Sequence, residues 1–311
     1  MGIILKKIKN SGSLGLKLYL SIMRVYYLFH FFIRSDENAI KRRFKLVFGY
    51  IPDLDNPKTL NEKLQWLKLN ERNDFHTIHA DKFAVRKFIG DTFGEELLIP
   101  LLYKTTDWRD INIENIKSVP CVIKSNHDSG GVEIIKDLKA VNWNTIRIKC
   151  KYWLSLNYYY VSRQWQYKNI KNRLIMIEEL LLTKNGKIPH DYKLHFINGV
   201  LNFIYVSYDR EGVNDRCIYD CNWNRLDFMW IEKENFKQNM NSSRVLKPVS
   251  FDRMVEIGNE IAKEYKYVRV DFYDVDGKLY FGEITHHHGG GFDLFFPETY
   301  DLIYGKKLNL K

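Results

Sequence analysis

Cysteine is scarce in this sequence, with four residues in 311, at positions 121, 150, 217 and 221, and no CxxC pair among them. So few cysteines exclude the disulfide framework of a small secreted scaffold. Cys217 and Cys221 stand four residues apart without a second ligand pair at matching spacing, so we interpret them as ordinary thiols and not as a zinc site. The cysteine content fits a reducing compartment, and we expect a cytoplasmic protein.

Long uncharged apolar runs are also missing. The most apolar segment, residues 14–33, is interrupted by Lys17, Arg24 and His30. A bilayer-spanning helix needs roughly 20 nearly uncharged apolar residues, and a signal peptide needs an unbroken apolar stretch before a cleavage site with small residues. Neither is therefore expected. Hydrophobic residues nevertheless make up 45% of the chain, which is enough for a folded core.

Positive charge is concentrated at the start of the chain. Residues 1–50 contain ten Lys or Arg and two Asp or Glu, which gives +8 of the total +10. The rest of the chain is nearly neutral, so a nucleic-acid groove across it is not expected and no nucleic-acid partner is predicted. Residues 1–45 predict a basic amphipathic helix that contacts an anionic membrane surface or a partner's groove. The alternative is a helix packed on the protein's own body through its tyrosines and phenylalanines.

Several elements can be predicted from local signals. Thr59 and Glu62 form a capping box before a helix, residues 142–166 are typical of a long aromatic helix, and residues 250–265 predict another capped helix. Asn198-Gly199 is a strong hairpin signal between two apolar strands. The segment 212–247 gives no clear pattern.

A second hairpin carries the strongest functional signal. Residues 268–273 and 279–285 alternate across the turn Asp276-Gly277, and this period places Arg269, Asp271, Glu283 and Thr285 on one face. Two carboxylates suit magnesium that bridges nucleotide phosphates, and an arginine suits charge that develops during phosphoryl or acyl transfer. The alternative is an exposed ion-pair face without function.

A glycine-containing loop, residues 125–131, joins two short apolar segments. Because both flanking segments are predicted strands, the loop is neither a Walker loop nor a dinucleotide-binding fingerprint, which need a strand followed by a helix. It is either a phosphate-covering loop or an ordinary surface hairpin.

Together these motifs resemble the ATP-grasp superfamily, and most closely its TupA-like branch, which is found among polysaccharide-assembly proteins. The resemblance covers roughly residues 50–300 and implies an α+β ATP-grasp fold with ATP between two α+β subdomains. The expected segments are a basic helical N-terminal arm (1–50), a helical N-terminal subdomain (51–118), a lid subdomain with the glycine loop (119–182) and a catalytic subdomain with the metal-binding hairpin (183–311).

The resemblance also implies roles for individual residues, with ATP and Mg²⁺ as cofactors. Phosphate contacts are expected from Lys82, Lys124 and the backbone at Gly130 and Gly131, and contacts to adenine and ribose from Glu178, Leu181, Glu179 and Asp191. Mg²⁺ would be held by Asp271 and Glu283, with Thr285 where relatives commonly have Asn. Lys193 would neutralise the γ-phosphate, and Arg269 would stabilise the tetrahedral species.

Three histidines follow the hairpin, His286, His287 and His288. Neighbouring side chains in an extended segment point in opposite directions, so at most two could share a zinc ion. Contact with an anionic substrate, or proton transfer, is the preferred interpretation.

The implied activity is an ATP-dependent carboxylate-amine ligase that acts through an acyl phosphate in capsular or other cell-surface polysaccharide biosynthesis. The expected substrates are a glycan or uronic-acid carboxylate and an amine donor, at the inner face of the cytoplasmic membrane. One alternative is a glycosyltransferase that binds a nucleotide sugar through the DxD sequence Asp274-Val275-Asp276. Another is a non-enzymatic membrane scaffold.

Overall fold

The computed structural model describes residues 2–116, 118–208, 215–232 and 244–311. In these ranges the helices are α1 Gly2–Lys9, α2 Gly12–Phe32, α3 Asp36–Phe48, α4 Leu60–Asn70, α5 Asp74–Ala80, α6 Ala84–Phe93, α7 Trp143–Ser155, α8 Tyr159–Ser162, α9 Phe251–Ala262 and α10 Thr299–Lys307. The strands are β1 Leu101–Thr105, β2 Cys121–Ser125, β3 Val132–Ile135, β4 Ile175–Glu179, β5 Asp191–Ile197, β6 Val200–Tyr208, β7 Asp215–Tyr219, β8 Arg225–Leu226, β9 Met229–Ile231, β10 Tyr267–Val275, β11 Lys278–Thr285 and β12 Leu294–Phe296. Helices and antiparallel sheets together confirm the expected α+β class. Much of the segment 212–247 lies outside the described residues.

The chain divides into two compact units that interleave along the sequence. The first unit comprises Met1–Ala39, Asp81–Val85 and Pro100–Leu180, and the second comprises Ile40–Ala80, Arg86–Ile99 and Leu181–Lys311. Within the described ranges no single helix is long and apolar enough to cross a membrane. The pair α2 and α3, with a bend of 117° between them, is long and apolar enough only when the two helices are taken together.

The first unit is built on an antiparallel sheet in the order β1-β4-β2-β3. The inward residues Ile123, Ile175 and Ile177 are fully buried with Cys121 and Cys150, and α7 covers this core. The pattern of isoleucine at every second position explains these strands, because alternate side chains of a strand point to one face. The predicted antiparallel pair on either side of the glycine loop is confirmed as β2 and β3.

The second unit is built on an antiparallel sheet in the order β11-β10-β5-β6-β7-β8, with a short pair of β12 and β9 beside it. The first turns of α4 bury Leu60, Leu64 and Leu67 in a core that contains Trp230 and Phe295. The predicted hairpins are both confirmed, since β5 pairs with β6 across Asn198-Gly199 and β10 pairs with β11 across Asp276-Gly277. Positive φ angles at all four turn residues explain why these sequences form tight turns.

Two predicted helices differ from the structure. The single helix expected over 142–166 is wrong, because α7 ends at Ser155 and α8 begins at Tyr159. The side chain of Asn157 causes this break: its Oδ1 accepts from Tyr159 N at 3.0 Å and its Nδ2 donates to Lys168 O at 3.1 Å. Such local hydrogen bonds compete with helix continuation. The helix predicted over 250–265 spans Phe251–Ala262, and Ser250 donates its hydroxyl to Asp274 at 2.6 Å in place of capping the helix.

Candidate active site

The β10–β11 hairpin brings four predicted site residues together. Arg269 lies opposite Thr285 and Asp271 lies opposite Glu283 in the strand register. The register then slips, leaving Gly282 as the extra residue of a bulge beside the site, and a Cβ at Gly282 would come within 2.9 Å of the Asp271 carbonyl oxygen. A bulge that re-aims side chains is a common feature next to functional sites.

Arg269 is the centre of this cluster. Its Nε donates to Asp271 Oδ1 at 2.7 Å, and its Nη2 donates to Asp271 Oδ2 and to Glu283 Oε1, each at 2.7 Å. Thr285 Oγ1 donates to the same Glu283 Oε1 at 3.0 Å. The predicted alternative of an exposed ion-pair face does not describe this geometry, because the Arg269 and Asp271 side chains are only 9% and 2% exposed.

The neighbouring strand β5 adds a second cation. Lys193 lies opposite Asp271, and its Nζ donates to Asp271 Oδ2 at 2.9 Å and also to Asp191 Oδ2. Asp191 Oδ1 is buried without a hydrogen-bond partner. The cluster therefore contains three carboxylates and two cations, an excess of one negative charge, and its Asp191, Arg269 and Asp271 side chains are buried.

Burial controls the ionisation of this cluster. Burial alone would lower the pKa of Arg269, but Asp271 and Glu283 outweigh it, so the pKa of Arg269 is raised and the guanidinium stays charged. Burial raises the pKa of Asp271, and Arg269 and Lys193 act in the opposite direction.

The sequence did not identify His288 and Asp293 as neighbours of Arg269. Arg269 Nη1 lies 2.9 Å from His288 Nδ1, and His288 Nε2 lies 3.3 Å from Asp293 Oδ2. Arginine can only donate, so His288 Nδ1 must accept and the imidazole proton is on Nε2, facing Asp293. Burial lowers the pKa of His288, in agreement with a neutral ring.

The turn after His288 is held by α4. Gln65 Nε2 donates to Gly291 O at 2.5 Å, the buried Lys68 ammonium donates to Gly290 O, and Asn61 Nδ2 donates to Asp293 O at 3.0 Å. Burial lowers the pKa of Lys68 well below its ordinary value. The positive φ angles at residues 289, 290 and 291 could not be predicted from a GGG sequence alone, although such a sequence permits them.

The other two histidines are buried within the second unit. The rings of His286 and His76 lie 4.6 Å apart, and both contact Tyr265. Burial lowers the pKa of His286 and of His287 well below the ordinary value. Contact of His286 or His287 with an anionic substrate, which the sequence analysis preferred, therefore stays a prediction.

The first unit holds the predicted phosphate-binding lysines. The Lys124 ammonium forms an ion pair with Glu178, whose side chain is 5% exposed, across the β2–β4 pair. Glu179 has an exposed side chain, and its backbone N donates to Pro100 O at 3.0 Å. Leu181, half-buried, begins the second unit's last segment.

The glycine loop is anchored by a residue that the sequence did not single out, Asn126. Its Nδ2 donates to Asp81 Oδ1 at 2.8 Å and its Oδ1 accepts from Leu174 N at 2.9 Å. Lys82 donates its ammonium to Asp128 O, at the start of the loop's tip.

The two glycines of this loop differ in their surroundings. Gly130 has φ +90° and open space on its Cβ side, whereas a Cβ at Gly131 would overlap the Asp128 carboxylate. The backbone conformation therefore disfavours a side chain at Gly130, whereas a side chain at Gly131 would require the Asp128 side chain to move.

The carboxylates of the DxD sequence serve the hairpin. Asp274 accepts from Ser250 and from Gly277 N at 2.7 Å, and Asp276 accepts from Lys184 N at 2.7 Å. These contacts stabilise turns, and they weigh against a nucleotide-sugar metal site at this position.

The chemistry of the hairpin fits magnesium. Asp271, Glu283 and Thr285 offer hard oxygen donors, and the excess negative charge of the cluster would be offset by a divalent cation. In the part of the chain that the structure covers, no group of three or more His, Cys, Asp or Glu side chains is arranged to hold a metal alone. Phosphate oxygens and water would have to complete the coordination, as is usual for Mg²⁺.

Solved structures with some similarity to this chain include three ligases. A D-alanine–D-alanine ligase from Bacillus anthracis is 17% identical over 67% of this chain and 57% of its own length, with a TM-score of 0.38. The corresponding enzyme from Helicobacter pylori is 12% identical over 82% of this chain and 68% of its own length, with a TM-score of 0.40. The ATP-grasp ligase PsnB is 12% identical over 80% of this chain and 68% of its own length, with a TM-score of 0.38.

Family assignment rests on a different comparison. The chain spans a little over half of the length of the Bacillus enzyme, and no curated protein matches its sequence. A family model described as TupA-like ATPgrasp matches residues 62–309, which is most of the chain. This chain therefore belongs to the TupA-like ATPgrasp family.

Proposed function

We propose that this protein is an ATP-dependent ligase that phosphorylates a carboxylate and joins the resulting acyl phosphate to an amine. The observation that carries the proposal is the Arg269–Asp271–Glu283–Lys193 cluster, in which Arg269 and Asp271 are buried, in a member of an ATP-grasp family. Buried charges are costly unless they serve binding or catalysis, and clusters that perturb pKa values in this way are typical of functional sites.

Each charged residue has a role in this proposal. Asp271 and Glu283, with Thr285, hold Mg²⁺, which when bound neutralises the charge of the ATP phosphates. Lys193 gives up its contact with Asp191 and contacts the γ-phosphate of ATP. Arg269 donates to the oxyanion of the tetrahedral species that forms when the amine attacks the acyl phosphate. In the first unit, Lys82 and Lys124 donate to phosphate oxygens, and the backbone at Gly130 and Gly131 covers them.

Glu178, Glu179, Leu181 and Asp191 complete the proposed nucleotide contacts. Glu178 and Leu181 act at the adenine edge, and Glu179 or Asp191 at the ribose. The exposed Glu179 side chain is available to a ribose hydroxyl, and the unpartnered Asp191 Oδ1 offers a second acceptor.

The biological setting is proposed from the motifs that resemble those of polysaccharide-assembly proteins. The carboxylate would belong to a glycan or uronic acid and the amine to an amino acid or amino sugar, in capsular or other cell-surface polysaccharide biosynthesis. Assembly of such polymers on lipid carriers would place the enzyme in the cytoplasm at the inner membrane face.

The reaction class is tested by product analysis. Purified protein with ATP, Mg²⁺ and mixtures of uronic-acid glycans and amines should release ADP and phosphate, and mass spectrometry should find an amide product. Release of AMP and pyrophosphate alone would contradict an acyl-phosphate intermediate.

A thermal-shift titration separates the alternatives. Mg²⁺ with ATP should raise the melting temperature, because a ligand that binds only the folded state stabilises it. Stabilisation by a UDP-sugar and not by ATP would favour a glycosyltransferase, despite the turn contacts of Asp274 and Asp276. No stabilisation by any nucleotide would favour a non-enzymatic scaffold.

A further inference from the structure

One side of α2 is fixed to the body of the first unit. The Arg163 guanidinium donates to His30 O at 2.9 Å and to Asp36 Oδ1 at 2.9 Å, and it lies over the ring of Phe31. At the other end of the helix, the hydroxyls of Ser13 and Thr145 are 3.1 Å apart. The orientation of α2 within its unit is therefore set by contacts at both of its ends.

The opposite side of α2 is apolar and exposed. We call this surface the apolar stripe, and its residues recur at helical spacing: Leu14, Leu18, Ile22, Val25, Phe29 and Phe32. Their exposed fractions range from 39% to 83%. A contiguous exposed apolar surface of this kind on a folded protein marks a site of interaction with a protein or a membrane.

The charged side chains of α1 and α2 have one sign. Residues 1–35 contain six Lys or Arg and no Asp or Glu. Beside the stripe, α2, α7 and Trp108 enclose a groove of about 390 Å³, lined by the three cations Lys17, Arg24 and Lys151 and by no acidic side chain. Ser13, Ser21 and Ser155 also line it.

We propose that the apolar stripe docks on an anionic phospholipid bilayer, with α2 lying in the membrane interface and the basic groove receiving a lipid phosphate. An apolar helix face with flanking basic residues is what such binding requires. A second copy of the chain fits this surface less well, because a two-fold contact would bring Lys17 and Arg24 against the same cations. The hydrogen bonds of the other helix side keep α2 on its unit, so it lies on the bilayer and does not enter it.

This inference is independent of the proposed ligase reaction, because none of its residues belongs to the candidate active site. It is tested by flotation of the full chain with vesicles of phosphatidylglycerol and phosphatidylcholine in equal parts, against vesicles of phosphatidylcholine alone. The full chain should float with the anionic vesicles only, and salt at about 0.5 M should release most of it because charges are screened.

Point variants identify the surface. The triple variant Val25→Ser, Phe29→Ser, Phe32→Ser should lower partitioning at least about tenfold, since it removes the inserted apolar area. The double variant Lys17→Glu, Arg24→Glu should abolish the preference for anionic vesicles. The matched control is Leu246→Ser with Val249→Ser, two apolar residues of the second unit that are 84% and 88% exposed, and it should float like the unchanged chain.

These variants are preferable to deletion of residues 1–45, because Ile40 and Phe44 are fully buried and their loss would damage the fold. Circular dichroism should show the same fold for all variants. Equal flotation of the triple variant and the unchanged chain, or no flotation of the unchanged chain, would overturn the proposal. So would a dimer in light scattering that the triple variant abolishes without any flotation, because the stripe would then be covered by a second copy.

Discussion

His288 lies between Arg269 and Asp293, and we assign it a positioning role. Its Nδ1 accepts from the Arg269 guanidinium at 2.9 Å, and this fixes the direction of the group that faces the reacting carbonyl in the proposed mechanism. We expect His288→Ala to lower kcat by roughly tenfold to a hundredfold with little change in the KM for ATP, because small misplacement of a catalytic group is costly. Steady-state kinetics measure both constants.

Two further variants separate positioning from packing. In His288→Asn the side-chain oxygen can take the place of Nδ1 and accept from Arg269, whereas in His288→Gln the polar atoms lie nearer to Nε2. We expect Asn to restore more activity than Gln. Equal loss in Ala, Asn and Gln variants, accompanied by equal loss of stability, would show that His288 only fills space.

Removal of the carboxylates tests the metal site. We expect Glu283→Gln to lower turnover at least about a hundredfold, because it removes a charge aimed at the metal and phosphates. Its side chain is 39% exposed, so stability should change little. Asp271→Asn should be equally inactive but less stable by about 3 kcal/mol, since Asp271 is a buried partner of both Arg269 and Lys193.

Urea denaturation, together with an ADP-release assay, checks both variants. In the folded protein the carboxylates of Asp271 and Glu283 are paired with Arg269 and Lys193. Neutralising one carboxylate therefore removes ion pairs as well as the repulsion between the two carboxylates. Near-normal turnover in both variants would contradict a metal-binding role for the hairpin.

At the residue scale, strand periodicity was enough to predict half of the site. Alternation along residues 268–285 placed Arg269, Asp271, Glu283 and Thr285 on one face, and the structure brings them into contact. Alternation says nothing about His288 and Asp293, because they lie on either side of a turn of three glycines with positive φ angles. The conformation of this turn, and with it the direction of the flanking side chains, depends on long-range contacts with Gln65 and Lys68 of α4.

At the element scale, the start of α4 shows a local signal that is fully realised. Thr59 Oγ1 accepts from Glu62 N at 3.2 Å, and Glu62 Oε2 accepts from Thr59 N at 3.1 Å, as the predicted capping box requires. We expect Thr59→Ala to lower the free energy of unfolding by about 1 kcal/mol. Chemical denaturation measures this, with Thr106→Ala, an exposed threonine, as the control. An equal effect in both variants would argue against the cap.

Other element boundaries could not be predicted because side chains make alternative hydrogen bonds. Asn157 breaks the helix expected over 142–166, and Ser250 bonds to Asp274, which is distant in sequence, and does not cap α9. Capping and helix continuation are decided by a few hydrogen bonds of about 1 kcal/mol each. A periodic pattern indicates the element, but these competing bonds fix its ends.

At the scale of the whole molecule, the two units interleave in a way that a pattern along the chain does not reveal. Residues 81–85 belong with the glycine-loop sheet, while α4 and α5 before them and Arg86–Ile99 after them belong to the second unit. Hydrogen bonds such as that from Asn126 Nδ2 to Asp81 Oδ1, at 2.8 Å, hold residues 81–85 in the first unit. The partners are 45 residues apart in sequence, beyond the range of any local signal.

Buried histidines predict that the second unit loses stability in acid. Burial lowers the pKa of His76 and of His79 to about 4, from the 6.5 expected when unfolded. Between these values the unfolded chain binds more protons than the folded chain, so the free energy of unfolding falls as the pH is lowered through this window. Above it, these two groups add no pH dependence. At about pH 5 the loss should be on the order of 2 kcal/mol for each histidine.

Urea denaturation from about pH 7.5 down to about pH 4.5 measures this dependence. The double variant His76→Gln, His79→Asn removes both titrating groups while keeping polar side chains, one of them beside the Tyr265 hydroxyl that His79 contacts. It should be less stable than the unchanged chain at neutral pH, because the aromatic contacts of both histidine rings are lost, yet its stability should fall less steeply in acid. Parallel pH profiles for the two proteins would show that the pKa values of these histidines are not lowered in the folded state.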